Sequence, residues 1–251
     1  MIVGKKEKRV DAFDKVTGRA KYTGDFFQGK MYCAKILHST IANGLVKKID
    51  ISEALKVPGV VKIVTCFDVP DIPFTTAGHP WSTEAPHQDI ANRKLLNTRV
   101  RYYGDDVAAV VAEDTVSAER AIAKIAVEYE EYPPILEWQD AIAPGATVIH
   151  EESPGNILRH HTVSGGSEKL DEALSDVEKE IKEKDDIVKV EGTYNLSAVQ
   201  HSHIEPAVSF AYEEGGRITV VSSTQIPFIV RRVVACALNV DWANIKIVKP
   251  Y

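Results

Sequence analysis

Short runs of β-branched residues, bounded by glycine or proline and separated by helical patterns, constrain the fold of this chain most strongly. Residues 60–65, 107–112, 217–222 and 245–248 form such runs, and each is typical of a strand. Apolar residues at helical spacing lie between several of them. The sequence therefore predicts a mixed α+β fold.

Three segments carry helix signals. The first begins at Asp114 or Thr115, and the second runs from 168 to 183 with a single apolar stripe. The third covers 226–238, where Pro227 suits a first helical turn and Asn239 marks the expected end. Side-chain alternation over 187–194 predicts a further strand.

Proline and glycine breaks divide the chain into four stretches. Residues 1–13 are a charged lead-in, and 14–133 form a small α/β domain that closes at a proline pair. Residues 134–166 are predicted to be a linker that crosses the surface. Residues 167–251 are then the start of a second domain.

Composition excludes several classes of function. The chain has 251 residues with a net charge of −6 and interspersed basic residues, which argues against nucleic-acid binding. It has no signal peptide pattern and no apolar run near the ~20 residues that a membrane span needs. Three distant cysteines suit neither a secreted disulfide framework nor an iron–sulfur cluster, which needs four thiolates. These features predict a cytoplasmic protein that contacts no membrane.

The segment 200–206 concentrates polar side chains between two apolar runs. If this segment is extended, alternate side chains share a face and lie ~7 Å apart. Two sets would then face opposite ways: His201, His203 and Glu205 on one side, and Gln200, Ser202 and Ile204 on the other. Any sheet that buries one of these faces must supply partners for its polar groups.

Two interpretations of His201, His203 and Glu205 remain open from the residues alone. Two imidazoles and a carboxylate on one strand face could bind zinc or a non-haem metal, which would make the chain a self-contained metal enzyme. Alternatively, these groups satisfy one another in a buried polar network. Nucleophile-elbow and phosphate-binding glycine motifs are absent from the sequence.

Several motifs, in order, resemble the molybdenum-binding subunits of the xanthine dehydrogenase and aldehyde oxidase family. The similarity is greatest to the bacterial xanthine dehydrogenases with separate subunits, and it extends from about Asp14 to Tyr251. The motifs that carry it are residues 17–25, 58–60, 76–81, 101–112, 143–146, 199–205, 222–227, 231–234 and 249–251.

The resemblance implies an α/β hammerhead domain over 14–133, followed by the beginning of a molybdopterin-binding domain. It implies hydroxylation of a purine carbon with oxygen derived from water, carried out with a molybdenum–molybdopterin cofactor. Electrons would pass to [2Fe-2S] clusters and FAD, and both would reside on partner subunits.

The resemblance also changes the expected role of the polar segment. In this family the pterin dithiolene holds the molybdenum, so no protein metal ligand is expected here. A glutamine of the segment approaches an oxygen ligand of the metal, and Gln200 is the candidate, with Val199 as the alternative residue facing the cofactor. His201, His203 and Glu205 become supporting groups.

Two family features have no counterpart in these residues. The glycine-rich cofactor segment and the catalytic glutamate base are expected beyond Tyr251, so no catalytic residue is assigned within the chain. The chain is therefore expected to be the N-terminal part of a longer subunit and inactive alone. A non-catalytic module that docks other subunits is a further alternative, and the edge strand at 245–248 predicts oligomers.

Overall fold

The computed structural model describes most of the chain, in two compact units. Described are residues 3–26, 29–75, 91–157, 160, 162, 165, 169–184, 186, 188 and 190–251. One unit comprises residues 1–158 and 205–251, and the other comprises 159–204. The motif at 76–81 lies outside the described residues.

Five helices and nine strands are defined within these described ranges. In chain order they are α1 (Ala12–Val16), β1 (Cys33–His38), β2 (Gly44–Asp50), β3 (Val60–Thr65), β4 (Arg99–Val100), β5 (Asp106–Ala112), α2 (Thr115–Ile122), β6 (Ala126–Glu131), α3 (Trp138–Ala141), α4 (Leu170–Glu183), β7 (Ser209–Glu214), β8 (Arg217–Ser222), α5 (Pro227–Leu238) and β9 (Ile245–Val248). Short 3₁₀ helices occupy Thr23–Asp25 and Trp242–Asn244. The mixed class predicted from the sequence is confirmed.

Among its described residues, the first unit contains three sheets of three strands each. Their orders are β1-β5-β3, β4-β2-β6 and β7-β8-β9. The first two sheets are antiparallel throughout, whereas β8 pairs with β9 in parallel. A parallel pair needs a crossover, and α5 supplies it by packing against β9.

Strand β5 organises the core because both of its faces are buried. Val110 and Ala112 are fully buried in one cluster, where α2 contributes Ala118 and Ala121. Val107, which is also fully buried, belongs to a second cluster with residues of β2 and β4. The first sheet is therefore covered by a helix on one face and by the second sheet on the other.

The second unit contains α4 and an irregular stretch. The strand predicted over 187–194 does not form at its described positions, 188 and 190–194, and this prediction is wrong. Val188, Val190 and Tyr194 are each at least 80% exposed. Since a strand needs a paired neighbour, the alternating pattern alone could not form one.

No helix among the described residues combines the length and apolarity required to cross a membrane.

Candidate functional site

The polar segment identified in the sequence is bent rather than extended. Ser202 has a φ of 53°, in the left-handed region that residues other than glycine seldom adopt. Residues 200–203 belong to no strand. The condition for alternating faces, an extended segment, is therefore not met, because the bend at Ser202 breaks the extended path.

The bend brings two predicted site residues together. The His201 and His203 rings stack with centroids 5.3 Å apart and an interplanar angle of 11°. Both residues are exposed. Within the described parts of the chain, no three His, Cys, Asp or Glu side chains converge as a metal ion would require. The metal-triad alternative thus lacks its geometry.

Gln200 has its side-chain oxygen held by the backbone. The amide N–H of His201 donates to Gln200 Oε1 at 2.8 Å. Because this contact uses the oxygen, the side-chain NH₂ group is the end that can donate to another partner. Gln200 is exposed, so this donor can reach a group outside the segment.

Glu205 lies in the first unit and contacts the opening residues of that unit. The backbone N–H of Thr23 donates to Glu205 Oε1 at 3.4 Å, and Thr23 itself is 1% exposed. This bond joins residues 182 positions apart in the chain. Glu205 therefore connects the two stretches of the first unit, 1–158 and 205–251.

Two further contacts, which the sequence did not predict, reinforce this attachment. The Phe26 and Phe210 rings lie 6.4 Å apart between centroids. The Tyr251 hydroxyl donates to Asp14 Oδ2 at 2.6 Å. We call these contacts, together with the Thr23–Glu205 bond, the opening-segment clasp. No local pattern could have revealed them, since each joins residues more than 180 positions apart.

The three cysteines are unpaired, and one of them is a buried core residue. Cys33, Cys66 and Cys236 are all free thiols. Cys66 is buried, and burial raises its thiol pKa to about 11. A thiol of such high pKa is a poor nucleophile near neutral pH, and its buried position is that of a small core residue.

Two family models match the chain in succession. The aldehyde oxidase and xanthine dehydrogenase a/b hammerhead domain matches residues 17–133. The molybdopterin cofactor-binding domain matches residues 149–251, which include the polar segment.

Curated relatives point to the same family. The chain is 43% identical, over 97% of its length, to the putative xanthine dehydrogenase molybdenum-binding subunit XdhA of Escherichia coli K12. It is 28% identical, over 99% of its length, to the nicotinate dehydrogenase large molybdopterin subunit of Eubacterium barkeri. The chain spans 31% of the first relative and 53% of the second.

A solved structure supports the fold along nearly the whole chain. The aldehyde oxidoreductase of Desulfovibrio gigas superposes with a TM-score of 0.79 at 26% identity. The match covers 98% of this chain and 26% of that protein. The chain belongs to the xanthine dehydrogenase and aldehyde oxidase family, as a hammerhead domain followed by a portion of the molybdopterin-binding domain.

Proposed function

We propose that this chain supplies one wall of the molybdenum-cofactor site in a purine hydroxylase. The observation that carries the proposal is the 43% identity, over 97% of the chain, to a protein named as a xanthine dehydrogenase molybdenum-binding subunit. Relatives named for nicotinate and aldehyde substrates are less similar, at 28% and 31% identity. The difference in identity favours a purine as the substrate.

Gln200 is the residue proposed to contact the cofactor. Its exposed NH₂ group can donate to an oxygen, and the His201 N–H holds its carboxamide oxygen in place. This donor fits a metal centre that carries oxygen ligands. When bound, the cofactor would supply the hydroxylation chemistry, with oxygen derived from water.

The neighbouring side chains are proposed to hold Gln200 in position. The stacked His201 and His203 rings restrict the backbone on either side of Ser202. Glu205 anchors the following turn to Thr23. These residues therefore act through Gln200, without touching the metal.

Partner subunits are proposed to carry the electron acceptors. An iron–sulfur cluster needs four thiolates, whereas this chain has three cysteines. We place the [2Fe-2S] clusters and FAD on separate iron–sulfur and flavin subunits. Co-purification of the chain with such an iron–sulfur subunit is expected, and failure to associate would contradict this assignment.

These 251 residues alone are proposed to be inactive. They span 31% of the E. coli relative, so most of that subunit has no counterpart in them. The purified chain is expected to lack stoichiometric molybdenum and xanthine-dependent dye reduction. Both quantities are directly measurable, by elemental analysis and by a dye assay. Stoichiometric metal together with turnover would overturn the proposal.

Variants of a complete subunit containing this segment test the role of Gln200. Gln200→Glu keeps the shape but removes the NH₂ donor, so kcat is expected to fall about tenfold or more at unchanged molybdenum content. Val199→Ala is the matched control and is expected to leave kcat nearly unchanged. A larger loss in the Val199 variant would show that Val199 faces the cofactor instead.

A further inference from the structure

The first unit has a cleft lined by two arginines that form no ion pair with a carboxylate among the described residues. The cleft has a volume of about 200 Å³, and Arg93, Arg101, Tyr102, Asp105 and His150 are among its lining residues. In the sequence, the residues of this cleft are separate from the polar segment 200–206. The proposed hydroxylase function does not involve the cleft.

Neutral oxygens hold both arginines in place. Arg101 Nε donates to the carbonyl of Ile149 at 2.9 Å. Arg93 Nη1 donates to the Tyr102 hydroxyl at 3.1 Å, and its guanidinium carbon lies 5.6 Å from the centre of the Tyr102 ring. Among the described residues, no carboxylate forms an ion pair with either guanidinium. The hydrogen bonds that hold these two guanidiniums therefore come from neutral partners.

The Asp105 carboxylate in the cleft accepts hydrogen bonds from one side chain and from two backbone N–H groups. Asp105 is 3% exposed and accepts from Asn97 Nδ2 at 2.7 Å. It also accepts from the backbone N–H groups of Arg101 and Asp106. Burial raises the pKa of Asp105 above its ordinary value, which weakens its negative charge. Asp105 thus fixes a turn, and Arg93 is the weakest of the influences on its pKa.

A third guanidinium adds to the positive charge near the cleft. Arg99 donates to Asn43 Oδ1 at 2.7 Å and to the Gly44 carbonyl at 3.0 Å, while Glu151 and Asp105 act on it through longer-range electrostatic attraction. Burial, followed by the charge of Arg101, lowers the pKa of Arg99. The same two causes lower the pKa of His150, against a weaker opposing effect from Glu152.

We propose that this cleft binds a small-molecule oxyanion, a phosphate or carboxylate group, between Arg93 and Arg101. A guanidinium presents paired N–H donors that match such oxygens, and an anion would relieve the repulsion among the arginines. Arg101 belongs to the hammerhead match, and its carbonyl partner Ile149 begins the molybdopterin-domain match. An anion bound here would strengthen the connection between the two matched regions.

Titration of the purified chain tests this site with two probes. Sodium phosphate and sodium malonate are added at constant ionic strength, and binding is followed by calorimetry and by the thermal unfolding midpoint. At least one probe is expected to bind saturably and to raise the midpoint. The probe that binds distinguishes a phosphate site from a carboxylate site.

Charge-matched variants locate the binding. Arg93→Gln and Arg101→Gln are each expected to weaken binding about tenfold, the usual effect of losing one charge-assisted hydrogen bond. Arg120→Gln, at an exposed position on α2 outside the cleft, is expected to bind as the parent does. If Arg101→Gln does not fold, Arg93→Gln alone decides, since Arg93 is exposed and, among the described residues, its side chain donates to the Tyr102 hydroxyl. Unsaturable binding of both probes, or equal affinity in the Arg93 and Arg120 variants, would overturn the proposal.

Discussion

Asp114 sets the start of α2 through its carboxylate. Its backbone is extended, and its side chain accepts the N–H of Ser117 at 2.7 Å, as in a typical N-cap. This hydrogen bond holds the pKa of Asp114 below its ordinary value of 3.8. Asp114 was one of the two cap residues expected from the sequence, because cap chemistry is local.

Two substitutions of Asp114 are expected to separate the contribution of helix capping to stability from that of the negative charge. Asp114→Ala removes the acceptor and should lower the urea midpoint at neutral pH, whereas Asp114→Asn keeps an acceptor and should lower it less. Folding lowers the pKa of Asp114. The stabilisation that its charge provides is therefore present above pH 3.8 and is lost as the pH falls through the pKa of the folded state. The difference in midpoint between the parent and Asp114→Asn should therefore shrink in acid. A difference that stays constant with pH would contradict this account.

The left-handed backbone conformation of Ser202 could not be predicted from the sequence. The motif around it singles out the polar residues as candidates, and their alternation between two faces would hold only in an extended segment. Serine has no strong preference for the left-handed conformation that Ser202 adopts, so the pattern gave no sign of the bend. The bend determines that His201 and His203 stack, and it leaves Gln200 with a hydrogen bond to its neighbour.

Helix α5 was predictable because both of its ends carry local signals. Pro227 occupies the first turn, and Asn239 follows the last helical residue in a left-handed conformation, with φ 54° and ψ 47°. The N–H of Val240 donates to the Ala235 carbonyl at 2.9 Å and completes the C-terminal cap. The termination of α5 therefore depends on the backbone conformation at position 239.

Substitutions at position 239 test this dependence. Asn239→Ala places a residue with a Cβ and no compensating side-chain amide in the left-handed region, and it should lower the free energy of unfolding by about 1 kcal/mol. Asn239→Gly is the matched control and should be neutral or slightly stabilising. Urea denaturation followed by circular dichroism measures both. Equal stability of the alanine and glycine variants would show that the cap does not depend on this conformation.

Strand positions were easier to predict than strand partners. The bounds of β3, β8 and β9 agree with the predicted runs, because β-branched residues and flanking turns are local signals. Pairing depends on contacts between distant residues. Strands β5 and β6 are joined by α2 yet belong to different sheets, and nothing in that segment indicates this.

At the scale of the whole molecule, the opening-segment clasp joins the beginning of the hammerhead region to the molybdopterin-domain region. Its three contacts are the Thr23–Glu205 and Asp14–Tyr251 hydrogen bonds and the Phe26–Phe210 ring pair. Family resemblance had already identified the opening motif at 17–25 and the residues around Tyr251. The contact between these two regions could not be predicted from the sequence, since a single sequence does not indicate which residues so far apart lie close together.

Tyr251 permits a test of the clasp through pH. Its hydrogen bond to Asp14 raises the pKa of the phenol above the ordinary value of 10.0. When folding raises the pKa of a group, that group stabilises the folded state at any pH below its pKa in the unfolded chain. This stabilisation is lost as the pH rises through its pKa in the folded state. Tyr251→Phe removes the donor, so its urea midpoint should fall below that of the parent near neutral pH. The two midpoints should converge above the folded pKa.

Tyr103→Phe is the matched control for this prediction. Tyr103 is 72% exposed, and no hydrogen bond or ring contact involves it among the described residues. Its substitution should leave the midpoint unchanged across the same pH range, which separates the loss of one phenol from the loss of the contact with Asp14. If Tyr251→Phe behaves like Tyr103→Phe at neutral pH, the Asp14–Tyr251 bond does not stabilise the molecule. The clasp would then depend on Glu205 and the phenylalanine pair alone.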